Sequence, residues 1–216
     1  MNAPYNLCGD AKFRPNNVCR VHLCTELKQS NKTSMPNYLR ADSPGATYFF
    51  TVVTHSRQPW LTNDDVRLAL REGIELTRAR HNFAIDAWVL LPNHLHCIWT
   101  LPKGDSDFSI RWTHIKQHVS RACAMRYVDP AKFNSSQRKR AESGFWQRRF
   151  WEHLIRDDVD FERHVDYVHW NPVKHGYVDR CIDWPYSTFH RYVKQGIYPM
   201  DWAVSETIFE KLAIAE

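Results

Sequence analysis

The sequence predicts an α+β fold, a ferredoxin-like antiparallel sheet with helices on one face. Three observations lead there. Runs of β-branched and aromatic residues alternate with runs of helical period, in the order strand, helix, strand, strand, helix. Only a proline and an asparagine separate the second strand from the third, so those two pair as a hairpin. No apolar run reaches the roughly 18 residues of a membrane span, and none is expected.

Along the chain, residues 1–44 read as a disordered or extended leader, polar and without periodic apolar pattern over 1–34. They lack the apolar core of a secretory signal, so the expected location is the cytoplasm. The domain proper spans 45–178. It opens with ATYFFTVVT from Ala46, a β-branched and aromatic run that reads as a buried strand. A capping box at Thr62-Asn63-Asp64-Asp65 starts a helix to about Arg80, with Val66, Leu70, Ile74 and Thr77 near one face. Phe83 to Leu91 is the second strand, Pro92-Asn93 breaks it, and His94 to Leu101 is the third. Phe108 to Tyr127 is helical, with Phe108, Trp112, Ile115, Val119 and Ala122 three or four apart. Residues 129–144 form a basic loop, and a last strand is expected between 145 and 156. A final helix starts around Asp157-Asp158 and ends near Asn171-Pro172, since proline disfavours helical geometry in the residue before it. Residues 179–216 alternate aromatic and turn residues, a tail that wraps the domain or contacts a ligand.

Charge is concentrated rather than high. Residues 130–156 hold seven Lys/Arg against two acids, an excess equal to the net +5 of all 216 residues. Five of the nine tryptophans fall within 146–202. Cations beside flat rings suit single-stranded nucleic acid, whose phosphates follow charge and whose bases stack. Candidate DNA contacts are Arg138, Lys139 and Arg140 in the loop, then Arg148 and Arg149, and His190 and Arg191 in the tail. Arg111 and Arg121 join them, on a helix stripe with His114 and His118. A solvated face, a solvated loop and core tryptophans would give the same pattern. The six cysteines contain no C-x-x-C pair, so neither a zinc ribbon nor a disulfide scaffold is expected.

Chemistry concentrates in two strings. In PNHLHCIWTLP, His94 and His96 are two apart on a strand and project from one face, while Leu95, Cys97, Trp99 and Leu101 face the other. Two such imidazoles can converge on a divalent cation, although H-x-H alone fits a pair of surface or core histidines equally. In FERHVDYVHWNPVKHG, Phe161, Val165 and Val168 make the buried stripe of a helix. Tyr167 and Asn171 lie four apart, off that stripe, with His164 on their side. A boundary tyrosine and a helix-ending asparagine would look alike. Taken together, the halves form a device: a tyrosine nucleophile at Tyr167 and a metal held by His94, His96 and the amide oxygen of Asn171. A mixed nitrogen and oxygen set of that kind accepts Mg²⁺ or Mn²⁺.

The chain resembles the REP-associated tyrosine transposases, within the single-tyrosine HUH nucleases, over about Ala46 to Ala203. The resemblance is carried by AWVLLPNHLHCIWTLP, FWQRRFWEHLIRD, HVDYVHWNPVKHGYV and DWPYSTFHRYVKQGIYPMDWA. It implies an HUH nuclease core in which His94, His96 and Asn171 hold the metal and Tyr167 attacks DNA. It also implies a monomer that cleaves and rejoins single-stranded DNA at palindromic repeats folded into hairpins. A protein that only binds such hairpins for regulation is the alternative reading.

Overall fold

The computed structural model describes residues 43–133, 135–140 and 143–203. The expected leader lies outside them but for its last two residues, as does the tail beyond residue 203. One antiparallel sheet forms the centre, in the order β2-β3-β1-β4, from β1 (Thr47–Val53), β2 (Ala84–Leu90), β3 (His94–Thr100) and β4 (Trp151–Leu154). The expected hairpin is β2–β3. The last strand falls inside the expected window, pairing with the edge of β1 that β3 leaves free.

Strand alternation sorts side chains onto two faces. Tyr48, Phe50 and Val52 of β1 and Leu95, Cys97 and Trp99 of β3 enter one apolar cluster. It is roofed by α1 (Asp64–Arg80) and α2 (Phe108–Tyr127), which contribute Val66, Leu70, Ile74, Trp112, Ile115 and Val119. Trp99 and Trp112 stack at 4.2 Å. The intervening residues Phe49 and Ile98 point the other way, into a second cluster beneath α4 (Asp158–Lys174), whose Val165 and Val168 are wholly buried. The one-face layering expected from sequence therefore holds for α1 and α2, while α4 covers the opposite face. The cause lies in β1 and β3, which carry large apolar residues at both alternating positions, so both faces must be buried.

The capping box at Thr62–Asp65 does not close; Asn63 is the N-cap without a side-chain cap bond. Asp65 instead accepts from the Tyr127 hydroxyl at 2.7 Å and from Arg126 at 3.0 Å, tying α1 to α2. Residues 129–144 are not a plain loop: Pro130–Lys132 is a 3-10 turn and Ser135–Lys139 a short helix, α3. Nor does Pro172 stop α4, which continues to Lys174. Pro172 has no N–H to give the carbonyl four residues back, but the last turn still closes, with the His175 N–H donating to the Asn171 carbonyl at 3.0 Å.

Beyond α4 the chain docks against the free edge of β2. Thr188 donates its N–H to the Trp88 carbonyl at 2.9 Å, and Leu90 donates to the Tyr186 carbonyl. A last helix, α5 (Phe189–Lys194), follows, and Phe189, Tyr192 and Tyr198 complete the second cluster. Among the described residues no helix is long and apolar enough to cross a membrane.

Candidate active site

The α4 face of the sheet is where the sequence-nominated groups meet. His94 and His96 project from β3 towards α4 with ring centroids 4.9 Å apart. The Tyr167 ring stands 5.2 Å from His96, and Phe49 lies between them from the β1 side, 5.4 Å from His96 and 5.9 Å from Tyr167. The turn that breaks the hairpin fixes the first imidazole: Nδ1–H of His94 donates to the Asn93 amide oxygen at 2.6 Å. The neighbouring strand fixes the second, with His96 Nδ1 2.8 Å from the Thr51 hydroxyl. His94 thereby keeps Nε2 as the atom with a lone pair to offer, and His96 does the same when its Nδ1–H donates to the Thr51 hydroxyl.

Burial lowers the His94 pKa to about 3, with the positive neighbourhood of His175, Arg57 and Lys174 acting in the same sense. Burial likewise takes His96 well below its ordinary value, and His94, His175 and Lys174 add to it. Neutral imidazoles at physiological pH are the form that binds a cation. Asn171 is fully buried; its Nδ2 donates to the Tyr167 carbonyl at 2.9 Å while its Oδ1 has no hydrogen-bond partner among the described residues. That oxygen lies close enough to His96 to favour the protonated ring slightly, short of a hydrogen bond. A buried acceptor without a donor is costly unless something occupies its lone pair. Two imidazole nitrogens and this oxygen fit a divalent cation of the mixed nitrogen and oxygen type.

His153 of β4 forms a second group with Asp160 and His164, which lie earlier on α4, and their ligand-capable atoms are within 4.8 Å of one another. Here the facing atoms are already used: Asp160 accepts from His153 Nε2 at 2.8 Å, and His164 Nδ1 donates to the Asp160 carbonyl at 2.8 Å. The two imidazoles stack at 4.6 Å with 16° between planes, so their in-plane lone pairs run side by side rather than converge.

Three basic residues around the first group were not nominated from sequence. Lys174 Nζ sits 4.6 Å from the centre of the Tyr167 ring. His175, which caps α4, stands 5.2 Å from His94. Arg57 follows Ser56 in a turn where both residues adopt positive φ, 50° and 53°, a conformation L residues rarely take and one that surrounding structure must hold. Lys174 and His175 are in the quoted α4 string, and only the helix running past Pro172 could have pointed to them.

The nominated DNA contacts separate. Arg111 is 1% exposed and spends all five N–H groups inside the protein, on Asp105 and on the carbonyls of His81, Asn82 and Asp107. It is a structural arginine, and its assignment to DNA is corrected. The helical stripe hid this because two of the partners, the carbonyls of His81 and Asn82, come from a turn distant in sequence. Arg121 is exposed, but on the α1–α2 layer, across the sheet from Tyr167. Arg138, Lys139, Arg140, Arg148 and Arg149 are exposed. His190 is exposed and donates Nε2–H to the Trp184 carbonyl at 2.9 Å. Arg191 is turned inward onto the carbonyls of Ile85 and Asp86 at the end of β2, so its guanidinium holds the tail in place instead of reaching outward.

The family of IS200-like transposases matches residues 43–171. A REP-associated tyrosine transposase of Escherichia coli strain K12 is 45% identical over 81% of this chain and 95% of its own length. The chain belongs to the REP-associated tyrosine transposases, within the IS200-like family. It is accordingly an enzyme of the transposase type. A Haemophilus influenzae protein provisionally given the same name is 44% identical over 78% of this transposase and 93% of itself. A solved structure of a REP-associated tyrosine transposase bound to a REP hairpin superposes with a TM-score of 0.67 at 45% identity. It covers 78% of this chain and 92% of the other.

Proposed function

We propose that this transposase is a metal-dependent, sequence-specific endonuclease that cleaves and rejoins single-stranded DNA at palindromic repeat hairpins through a 5′-phosphotyrosine. The Tyr167 hydroxyl attacks the scissile phosphorus, the bond to the 3′ oxygen breaks, and a proton ends on the released 3′-OH. Because the tyrosine ester conserves the energy of the broken linkage, a 3′-OH can reverse the step and join strands without ATP.

The observation that carries this reading is the meeting of Tyr167 with two neutral imidazoles and an unpartnered amide oxygen at one place on the sheet. His94, His96 and Asn171 would hold the metal. Bound there, Mg²⁺ or Mn²⁺ would polarise the phosphate and offset the charge that builds during in-line displacement. The chain's own residues supply the rest. The attacking oxygen gives up its proton as the ester to phosphorus forms, a step that a nearby positive charge favours. Lys174, whose Nζ lies 4.6 Å from the centre of the Tyr167 ring, places one beside the ring, and Arg57 adds positive charge near His94. The hairpin substrate is supported by the relative solved with a REP hairpin.

Incubated with Mn²⁺ and a hairpin oligonucleotide from the repeats beside its gene, the protein should form an SDS-resistant adduct with DNA. Tyr167→Phe should abolish the adduct and leave affinity nearly unchanged, since only the hydroxyl is lost. An adduct persisting in that variant would assign the nucleophile elsewhere.

A further inference from the structure

Trp151 opens β4, the edge strand of the sheet, and is 49% exposed. An indole left in water on an edge strand is unusual, because edges are normally short and guarded by charge. This one is held in a defined orientation. Its ring lies parallel to the His153 imidazole, 6.0 Å away with 9° between planes, and edge-on to Phe49 at 5.6 Å. His153 is in turn bonded to Asp160 of α4, which also accepts the Arg156 N–H at 3.1 Å, so strand, helix and the turn between them are stapled together. The second His/Asp group thus acts as a mount for the edge on which Trp151 sits.

Register gives its position relative to the chemistry. His96 pairs with Thr51, and Thr51 pairs with Trp151, so the three stand in one row across β3, β1 and β4. Phe49 touches Trp151, His96 and Tyr167 alike, which puts all of them on the α4 face. Two strand spacings separate Trp151 from His96, about 10 Å, within reach of a nucleotide flanking a phosphate bound at Tyr167. Charge surrounds the ring along the chain: Arg148 and Arg149 precede it, Arg156 follows β4, and all three are exposed. A preoriented flat ring between cations is the combination that holds an unpaired base, the ring stacking and the cations following the backbone.

We infer that Trp151 is a stacking platform for one unpaired DNA base beside the scissile phosphate, with Arg148, Arg149 and Arg156 holding the backbone on either side. The inference rests on the proposed action at Tyr167 only for which phosphate the base adjoins.

The test uses binding alone, with the full-length Tyr167→Phe protein and hairpin oligonucleotides whose unpaired flanks carry a single abasic site, moved one position at a time. With Trp151 present, one flank position should cost roughly 5- to 150-fold in Kd when its base is removed. Trp151→Ala should weaken binding of the intact oligonucleotide by the same factor and abolish the effect of that abasic position, leaving the others as before. Trp151→Leu keeps apolar bulk without a flat face and should behave like Trp151→Ala, while Trp151→Phe should retain most of the affinity. Equal loss on every oligonucleotide, with no position relieved, would overturn the platform and leave an ordinary structural contribution. Failure of the Trp151 protein to bind any of these hairpins would instead sink the functional reading, and the platform with it.

Discussion

The same strands build two faces that differ in what they leave unsatisfied. Beneath α1 and α2 the residues of β1 and β3 are Tyr48, Phe50, Val52, Leu95, Cys97 and Trp99, and the buried polar atoms lacking a partner include the indole N–H groups of Trp60, Trp88, Trp99 and Trp112. Beneath α4, one residue along on each strand, stand Phe49, Thr51, His94, His96 and Ile98, and the atoms lacking a partner there include His164 Nε2, His169 Nδ1 and Asn171 Oδ1. An indole N–H can only donate; the others, apart from one possible imidazole tautomer, offer lone pairs. The α1–α2 face thus contributes stability mainly by burying rings, with the Glu152 carboxylate as its acidic exception, and the α4 face gathers imidazoles and an amide oxygen around Tyr167. The period of two along a strand is enough to keep those tasks apart on a sheet one residue thick.

That contrast predicts the largest effects. Trp99→Ala on the first face should cost about 3–5 kcal/mol, because a wholly buried ring stacked on Trp112 leaves a cavity. Cleavage should then fall only as far as the folded fraction does. The double variant His94→Ala with His96→Ala should do the reverse: no cleavage but a cooperative melt, with chelator reproducing the loss of cleavage in the parent protein. Loss of melting cooperativity in the double variant would make the histidines structural and dissolve the distinction.

Next in size is Arg111. With five donors committed inside the α1–α2 layer, Arg111→Met should destabilise the protein by about 3 kcal/mol, somewhat moderated because Asp105 is a third exposed. Affinity for a hairpin oligonucleotide, measured well below the melting temperature, should not move. Weaker binding without a lower Tm would restore Arg111 as a DNA contact.

These cases mark what was legible in the sequence. β1, the β2–β3 hairpin, α1 and both ends of α2 were readable because each is set by local period and local breakers. His94, His96, Tyr167 and Asn171 were readable as groups sharing a side of their own strand or helix. What escaped depends on contacts distant in sequence. Arg111 looks like a free cation on a stripe until the turn at 81–82, from the far end of α1, folds onto it. Trp151 looks like one more core tryptophan until β4 is found at an edge. Lys174 and His175 were out of reach because Pro172 argued for an earlier helix end, and tertiary packing overrode it.

A smaller effect is expected from the exposed cations of residues 138–140. Replacing Arg138, Lys139 and Arg140 with Ala removes up to three phosphate contacts, so the slope of log K against log[salt] should flatten by up to about two units. Cleavage at saturating DNA should be little altered, since α3 carries none of the groups around Tyr167. An unchanged slope would mean that this segment faces away from the bound strand.

The last prediction asks whether pH dependence belongs to the α4 face alone. Beside Tyr167, burial raises the Asp166 carboxyl to about 6, although the hydrogen bond from the Tyr198 hydroxyl pulls the other way. A raised folded-state pKa means the native protein holds a proton that the unfolded chain has released between about pH 3.8 and 6. The stability this contributes is complete below that window and is lost as pH rises through it, leaving a buried carboxylate as a standing cost at neutral pH. Asp166→Asn keeps an acceptor for Tyr198 and cannot ionise, so the variant should equal the parent near pH 4 and exceed it at pH 7.5. The gain should be at least roughly 1 kcal/mol, a few degrees of Tm. The histidines of the same face act with the opposite sign: burial takes His169, like His94, down to about 3, so the unfolded chain binds protons first and stability falls as pH drops below 6.5. That decline should survive in Asp166→Asn, and if anything steepen, because the compensating uptake by the carboxyl is gone. A difference between variant and parent that is constant from pH 4 to 7.5 would show that Asp166 does not titrate in this range, and would remove the carboxyl from the account of this face.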